Sequence, residues 1–383
     1  MAVKKRFGAY IKNGHLYDPA INLDQPGNVA VYQPNIAEII DIDTPDWIDA
    51  IETYDAQGNY VIPGLVEFHG HFYPGGIDMA IEPGYMVEKG VVACVDSGSC
   101  GFNTFPYFRR ALMDTCEIPV QAALNISTIG FLSVPNAEVG RPEYVNEKGL
   151  INMINIHKDV VLGVKVRFQK NNFEGGNIDG LSVLKKAREI CRATGTSMMV
   201  HITDAPVPFP EYAQYFDKGD VILHMYNGKP NGILDENGKV WPEAWEAKKR
   251  GVIFDVARGT MHFNYKVAAK ALTQGFLPDV ISADATIHMG TPFKCQLTTC
   301  IAELLHLGMK FEDLIHQTTR VPAGLMNNIE CGIEVGKPAN FTVLERRKEK
   351  TEITDADGNK VTVNEIFVPK ATIYRGKVLY RAD

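Results

Sequence analysis

Short β-like runs broken by turn residues fill the first sixty positions of the chain. Runs such as 7–12 and 28–32 alternate with Gly, Pro, Asn and Asp, and no long segment has the spacing of an amphipathic helix. This pattern is typical of short strands joined by tight turns. It predicts a small sheet at the start of the chain.

Eight apolar runs follow, each succeeded by a segment with helical spacing. Their starts lie 24 to 42 residues apart, which leaves room for a strand, a helix and two loops in each interval. Eight such units in succession close a barrel, and no G-x-G-x-x-G fingerprint supports the alternative of an open, doubly wound sheet. The runs are Ile62–Phe68, Val91–Val95, Val120–Leu124, Leu162–Val166, Ser197–Val200, Val221–Leu223, Val252–Val256 and Val280–Ser282.

After about Met326 the helical pattern stops and β-like runs return at 340–344 and 371–374, with an Asp355-Ala-Asp-Gly-Asn turn between them. We expect the two chain ends to share one sheet. The predicted fold is therefore α/β, with a (β/α)8 TIM barrel over residues 62–326 and a small β-sandwich domain formed by residues 1–61 and 327–383.

The net charge of the chain argues against some classes of binding partner. Its 39 basic and 46 acidic residues give a net charge of −7 without long charged blocks, which argues against nucleic acid or an anionic membrane as the main partner. No apolar stretch approaches the roughly 20 residues that span a bilayer, and no apolar segment follows the basic residues at the start. We expect a soluble, cytoplasmic protein whose partner is a small-molecule substrate.

Two histidines end the first of the eight runs, in Glu67-Phe-His69-Gly-His71. Strand periodicity puts both imidazoles on one side, where the mouth of a barrel would offer two nitrogen ligands to a divalent metal. The alternative is that one histidine caps a loop and the other packs against it.

Three other runs also end in residues that bind metals, namely His201, His224 and Asp284. Because the carboxyl ends of barrel strands face one cavity, we expect these side chains to meet the histidine pair there. The five together predict a metal site.

Lys165 lies inside the apolar fourth run, with Arg167 two positions later on the same side. A buried lysine needs a partner or a function. It could pair with a carboxylate such as Asp284, or its neutral amine could react with carbon dioxide to give a carbamate whose oxygens bridge two metals. The residues alone leave both interpretations open.

The order and positions of these six residues resemble the amidohydrolase superfamily. The flanks are similar too, since 55–64 leads into the first strand and 332–343 follows the barrel. Within the superfamily the chain most resembles the amidohydrolase/deacetylase branch near dihydroorotase and adenine deaminase, through Lys165-Val-Arg167 and the tail from Asp355 onward. It departs from that branch at Arg258, where a histidine is typical.

The resemblance implies a binuclear metal-dependent hydrolase that cleaves an acyl ester, amide or cyclic amide bond of a small molecule, as a deacetylase does, through a metal-bridging hydroxide. Asp284 would be the catalytic acid and base, and an acetylated hydroxy or amino acid is the expected substrate. A homo-oligomer is the usual state of such barrels.

The resemblance also implies the cofactors. Two divalent ions are expected, zinc first, with manganese, iron or cobalt also compatible with nitrogen and oxygen ligands. One ion would bind His69, His71 and Asp284, the other His201 and His224, and N6-carboxylated Lys165 would bridge them.

Six residues are candidate substrate contacts. Arg167 could hold a carboxylate by two parallel hydrogen bonds, or form a structural ion pair. Tyr226 or Asn227 could donate to a developing oxyanion. The loops after the last two strands supply Arg258, His262 and His288, which could line the pocket or make ordinary loop contacts.

Two other functions remain open. A mononuclear deaminase of a nucleobase-like ring would need the histidine pair, one more histidine and Asp284 but no bridging lysine. A scaffold protein on a barrel without catalysis is disfavoured by the intact ligand positions.

Overall fold

The computed structural model of the protein describes residues 4–41, 47–136, 138–139, 141–173, 179–290 and 296–382. Two β-sheets organise them. One is an eight-stranded sheet from both ends of the chain, and the other is a curled parallel sheet in the middle.

The N-terminal part contributes five strands to the first sheet, which we call the terminal sheet. They are β1 (Lys5–Asp18), β2 (Leu23–Tyr32), β3 (Asn35–Ile40), β4 (Ile48–Asp55) and β5 (Tyr60–Pro63). The long β1 pairs antiparallel with β2 on one side and parallel with β4 and then β5 on the other.

The parallel sheet consists of seven strands hydrogen-bonded in chain order. They are β6 (Leu65–Gly70), β7 (Val91–Ser97), β8 (Val120–Asn125), β9 (Val161–Arg167), β10 (Ser197–His201), β11 (Val221–Leu223) and β12 (Ile253–Asp255). Each is buried along nearly its whole length because helices cover the outer face, as the apolar runs predicted.

Residues 280–285 occupy the eighth position, although they form no regular strand. Val280 bridges Asp255 of β12, and Ala285 bridges Gly70 of β6, both in parallel sense. This closing segment joins the two edges of the sheet, so the predicted α/β barrel is confirmed.

Three strands complete the terminal sheet, namely β13 (Phe341–Thr354), β14 (Lys360–Tyr374) and β15 (Lys377–Arg381). The sheet runs β15-β14-β13-β5-β1-β2-β3, with β4 beside β1, so the chain ends do share one sheet, as expected. Its core is formed by apolar residues from both ends, such as Val29, Val61 and Phe341. The predicted domain boundaries stay a prediction.

One predicted strand is divided in two. The run Ile62–Phe68 splits at Gly64, so that β5 pairs with β13 in the terminal sheet and β6 begins the barrel. A Cβ at Gly64 would lie 2.4 Å from Val92, so the close crossing between the sheets requires glycine. Periodicity could not separate the two strands because both are apolar.

Helices connect the barrel strands and pack on their outer face. The α-helices are α1 (Phe105–Phe108), α2 (Glu147–Ile156), α3 (Gly180–Thr194), α4 (Phe209–Ala213), α5 (Pro242–Arg250), α6 (Tyr265–Thr273), α7 (Leu297–His306), α8 (Phe311–Thr318) and α9 (Arg320–Gly324). A π-helical turn spans Arg109–Met113, and short 3-10 helices span Pro19–Ile21, Pro83–Lys89, Gly130–Asn136, Pro142–Tyr144, Lys170–Asn172 and Ile287–Gly290.

The capping residues explain where the longer helices start and end. Asp179 accepts hydrogen bonds from Leu181 N and Ser182 N at the start of α3, and Gly195 ends that helix at φ 69°. Asn264 caps α6 in the same way. Among the described residues, no helix combines the length and apolar character needed to cross a membrane.

Candidate metal centre

The carboxyl ends of the barrel strands surround one cavity of about 560 Å³. All six predicted metal ligands line it: His69, His71, Lys165, His201, His224 and Asp284. The sequence predicted this arrangement, because each of these residues lies at or near the carboxyl end of a strand or of the closing segment.

One group in this cavity consists of His69, His71 and Asp284, all buried, and their ligand atoms lie within 4.8 Å of one another. Asp284 Oδ1 lies 3.3 Å from His71 Nε2 and 3.4 Å from His69 Nε2. The Nδ1 atom of His71 contacts Ser99 Oγ at 3.0 Å, which orients the other ring nitrogen toward the cavity.

A second group consists of His201, His224 and His262, again with ligand atoms within 4.8 Å of one another. The Nδ1 atom of His224 donates to Ala257 O at 2.6 Å, which fixes the ring and leaves Nε2 for the cavity. The rings of His69 and His224 are 5.0 Å apart, so the two groups are neighbours.

The backbone at this site is strained. His224 has φ 63° and Asp284 φ 55°, in the left-handed region that side chains other than glycine rarely adopt. Such conformations cost on the order of 1–3 kcal/mol each and persist where the surrounding structure imposes them. Both residues follow a barrel strand or lie in the closing segment, where the strain re-aims the side chain into the cavity.

Lys165 is buried deep in the cavity, with a side chain 1% exposed. Its Nζ donates to Ser97 Oγ at 2.8 Å and lies 3.4 Å from His69 Nε2. A Cβ at Gly98 would lie 2.4 Å from Lys165 Cγ, so glycine makes room for the lysine there. Burial, aided by the positive charge of Arg167 and opposed by Asp284, lowers the pKa of Lys165 to about 7.

Burial also controls the charge of the other groups. It lowers the pKa of His69, His201 and His224 well below the ordinary value, and that of His262 to about 4. Burial raises the pKa of Asp284, but the contacts to the histidines outweigh it and hold that pKa well below its usual range. The site therefore presents neutral imidazoles and an anionic carboxylate at neutral pH.

These residues fit a divalent metal. The buried atoms His201 Nε2, His262 Nδ1 and Asp284 Oδ1 have no hydrogen-bond partner among the described residues. Buried polar atoms without a partner are costly, and cations bound to the two groups would satisfy them. Imidazole nitrogens with a carboxylate oxygen are ligands that zinc and similar ions prefer.

Three of the six predicted substrate contacts line the cavity: Arg167, His262 and His288. Arg167 also forms the structural ion pair considered from the sequence, with its Nη1 3.1 Å from Glu138 Oε2. Its Nη2 donates to Gln169 Oε1 at 2.8 Å. Guanidinium has five N–H donors, so further donors remain for a ligand.

The other three, Tyr226, Asn227 and Arg258, lie away from the cavity lining. The Tyr226 hydroxyl donates to Phe276 O in the core, and Asn227 Nδ2 donates back to His224 O. The left-handed backbone at His224 reverses the chain immediately before them, so their side chains turn from the cavity. Neither Tyr226 nor Asn227 is therefore positioned as an oxyanion donor.

Arg258 is fully buried on the outer side of its loop. It donates to both carboxylate oxygens of Glu303 in α7 and to Thr354 O in the terminal sheet. Its contribution is therefore to hold the loop in place, and His262, four residues later, is the side chain that enters the cavity. This corrects the prediction of Arg258 as a substrate contact.

Sequence reasoning predicts His262 only as a substrate contact and misses its place beside His201 and His224. Its position just past the seventh strand was the available signal. Glu138 and the orienting atoms of Ser99 and Ala257 were also missed. Glu138 lies in a long loop, where no periodicity indicates which way a side chain points.

Comparisons with known proteins find similar chains among metal-dependent hydrolases and deaminases. No family profile matches the chain. A deacetylase of Brucella anthropi is 28% identical over 326 residues, covering 84% of this chain and 80% of the relative. A solved adenine deaminase has a TM-score of 0.86 at 27% identity, covering 98% of this chain and 100% of that one. A solved dihydroorotase has a TM-score of 0.87 at 25% identity, covering 98% of both chains.

The low pKa of His262 predicts an acid-sensitive metal-free protein. Between the ordinary value of 6.5 and about 4, the unfolded chain binds the proton and the folded chain does not, so stability falls as the pH falls through this window. For His262 the loss is on the order of 3 kcal/mol. In chelator-treated protein, His262→Phe should therefore flatten the pH dependence of the unfolding free energy between pH 6.5 and 4, measured by urea unfolding.

His288→Phe is the matched control, because His288 lines the same cavity but is exposed. His288→Phe should leave the pH dependence of the unfolding free energy as it is in the wild type. Equal slopes in wild type and His262→Phe would contradict the neutral state assigned to His262 in the folded protein.

Proposed function

Because the chain belongs to the amidohydrolase superfamily, as its sequence predicted, and is a metal-dependent hydrolase, we propose that it hydrolyses an acyl ester, amide or cyclic amide bond of a small molecule at a two-metal site. The observation that carries this proposal is the pair of neighbouring ligand groups in one cavity. The relatives named deacetylase support an acyl substrate.

Each of the two ligand groups would bind one metal ion. His69, His71 and Asp284 would hold one divalent ion, and His201 and His224 the other. We propose zinc, with manganese, iron or cobalt as alternatives compatible with these ligands. Such ions, when bound, supply Lewis acidity for a carbonyl oxygen and lower the pKa of a water nucleophile.

Lys165 is suited to become a carbamate. A pKa of about 7 leaves much of the amine neutral at physiological pH. The Nζ lone pair can then form a bond to the carbon of carbon dioxide, with release of one proton from the nitrogen. The product would have two oxygens that share one negative charge, beside His69, in place of the neutral amine.

Asp284 is the proposed proton carrier. Its side chain is 9% exposed and borders both groups, since Oδ2 lies 4.0 Å from His262 Nε2 while Oδ1 faces His69 and His71. The low pKa makes it an acceptor at neutral pH. It would take the proton from the attacking water and return it to the leaving amine or alcohol.

The cavity wall suggests the kind of substrate. Arg167 offers a cation at the rim, and Ile77, Met79, Phe131 and Met261 form apolar walls. A small molecule with a carboxylate and an apolar side, such as an acetylated hydroxy or amino acid, would complement both features.

Metal content tests the two-metal site. Protein purified without chelator from medium containing zinc and bicarbonate should carry about two ions per chain. Asp284→Asn should keep most of this metal, because the amide oxygen is nearly isosteric, but should lose turnover about 10²–10⁴-fold with the proton carrier. Elemental analysis and turnover of a panel of acetylated hydroxy and amino acids provide the two measurements.

Asp78→Asn is the control, since Asp78 is exposed between two cavity residues. Full turnover in Asp284→Asn would exclude Asp284 as the proton carrier. About one ion per chain, with activity on adenine or a similar ring, would instead favour the alternative function, a mononuclear deaminase. A solved adenine deaminase is similar to this chain, which is why adenine is the ring to test.

The carbamate itself can be observed. Metal-loaded protein prepared with ¹³C-bicarbonate should show a carbamate carbon by ¹³C NMR, because Lys165 is buried beside the proposed metal ligands. Lys165→Met should abolish this signal, whereas Lys158→Met, at an exposed position, should keep it. A signal that persists in Lys165→Met would place the modification on another residue.

Substrate recognition by Arg167 predicts a charge-selective defect. Hydrogen bonds to a charged group contribute about 1.5–3 kcal/mol, so Arg167→Met should lower kcat/KM for an acetylated acid about 10- to 100-fold. The amide analogue of the same substrate should be much less affected. Arg167→Lys, which keeps a cation near Glu138, separates loss of substrate binding from loss of the structural ion pair, and equal defects on both substrates would contradict the proposal.

A further inference from the structure

The second ligand group contains one more imidazole than the proposed function uses. We propose that His262 is a metal ligand, which together with His201 and His224 forms a three-histidine site for a divalent cation that does not depend on the carbamate of Lys165. This inference rests on the proposed two-metal function and adds to it the ligand that completes the second position.

The geometry of the three rings supports a shared ligand. Their centroids are 4.2 Å apart for His224 and His262, 4.4 Å for His201 and His224, and 4.9 Å for His201 and His262. The interplanar angles are 40°, 73° and 80°, so no two of the rings stack in parallel. One ring nitrogen from each lies within 4.8 Å of the other two.

Each ring also has a nitrogen that a cation could use. His201 Nε2 and His262 Nδ1 are buried and have no hydrogen-bond partner among the described residues. His224 Nδ1 donates to Ala257 O, which leaves Nε2 as its ligand atom. Three neutral imidazoles with an open fourth position are a ligand set that zinc uses in catalytic sites.

Asp284 does not account for the position of His262. The nearest approach, between Asp284 Oδ2 and His262 Nε2, is 4.0 Å and too long for a hydrogen bond. Gly259 keeps the loop close to this carboxylate, since a Cβ there would lie 2.6 Å from Asp284 Oδ2 and 2.8 Å from His262 Cδ2. The backbone, and not a polar contact of the ring, brings His262 into the cavity.

The terminal sheet fixes the loop that carries His262. Residues 354–359, which join β13 to β14 and which we call the hairpin tip, bind both flanks of this loop. Arg258 donates to Thr354 O, Ala356 N donates to Phe263 O at 3.0 Å, and Tyr265 N donates to Asp355 Oδ2 at 2.9 Å. A ligand held in advance by its surroundings binds metal without the cost of ordering a loop.

Zinc binding measures the role of His262 directly. Wild type, His262→Phe, His262→Gln, Lys165→Met and the control His288→Phe are equilibrated at buffered free zinc, and bound zinc is counted by elemental analysis. Cobalt titration, followed by visible absorption, reports the ligand environment without any enzymatic turnover.

Wild type, His288→Phe and Lys165→Met should each bind about two ions, whereas His262→Phe should bind about one. The affinity of the second position should fall more than about 100-fold in His262→Gln, beyond the 10- to 100-fold cost of losing a residue that only orients a ligand. The cobalt spectrum should change in both His262 variants and remain unchanged in His288→Phe.

Two ions bound with wild-type affinity in both His262 variants would overturn this inference and leave the proposed function standing. The inference also fails if Lys165→Met drops to one ion while His262→Phe retains two, because the carbamate would then be the third ligand. If wild type itself binds only one ion, the two-metal function fails. The inference then stands only if His262→Phe loses that ion.

Discussion

Closure of the barrel by an irregular segment is the constraint on which the site depends. Residues 280–285 bridge β12 and β6 without forming a regular strand, so part of their backbone needs side-chain partners. The buried carboxyl of Glu67 supplies one, accepting from Ala283 N at 2.9 Å and from His69 N at 3.3 Å. Asp255 holds the segment through a side chain, accepting from Ser282 Oγ at 2.6 Å. The same contacts that close the barrel thus fix Asp284 against the histidine pair.

Exclusion of water from the cavity determines which of these residues are charged. Lys165 and the histidines of both groups are buried, except for the half-buried His262, and charging a buried group in such surroundings is costly. Lone pairs on nitrogen, which metals and carbon dioxide require, are therefore present at a pH where exposed lysine would be protonated. Asp284 is the exception, because the surrounding imidazoles favour its anion. Burial thus produces the neutral nitrogen ligands, and contact with the histidines produces the anionic one.

The parts of the fold that follow from periodicity could be predicted from the sequence. Alternation and spacing located seven regular strands and the closing segment, and the rule that strand ends share one mouth brought His69, His201 and Asp284 together. Side chains beyond the strand ends could not be placed in this way. The backbone at His224 and Ala257 has positive φ, a conformation with no signature in these residue types, and it decides that Tyr226 faces the core while His262 reaches the cavity.

Loop residues are hard to place for a related reason. Arg258 and His262 are four residues apart and both chemically plausible in a binding site. Contacts with Glu303 in a distant helix and with Thr354 in the terminal sheet keep Arg258 out of the cavity. Glu138 pairs with Arg167 across the cavity rim from a segment without periodicity. The roles of these loop residues depend on contacts between residues far apart in the chain. Such contacts could not be predicted from a single sequence.

The hairpin tip has a consequence for the order in which the protein is made. A ribosome produces the barrel from β6 to the closing segment before it reaches β13, and Asp355 follows Tyr265 by 90 residues. Until that turn has left the ribosome, the loop with His262 lacks the acceptors that hold its two flanks. A nascent chain that ends at the closing segment therefore lacks the contacts that support this corner of the cavity. The last support of the cavity is thus made late in biosynthesis, by a sheet of which no described residue lines the cavity.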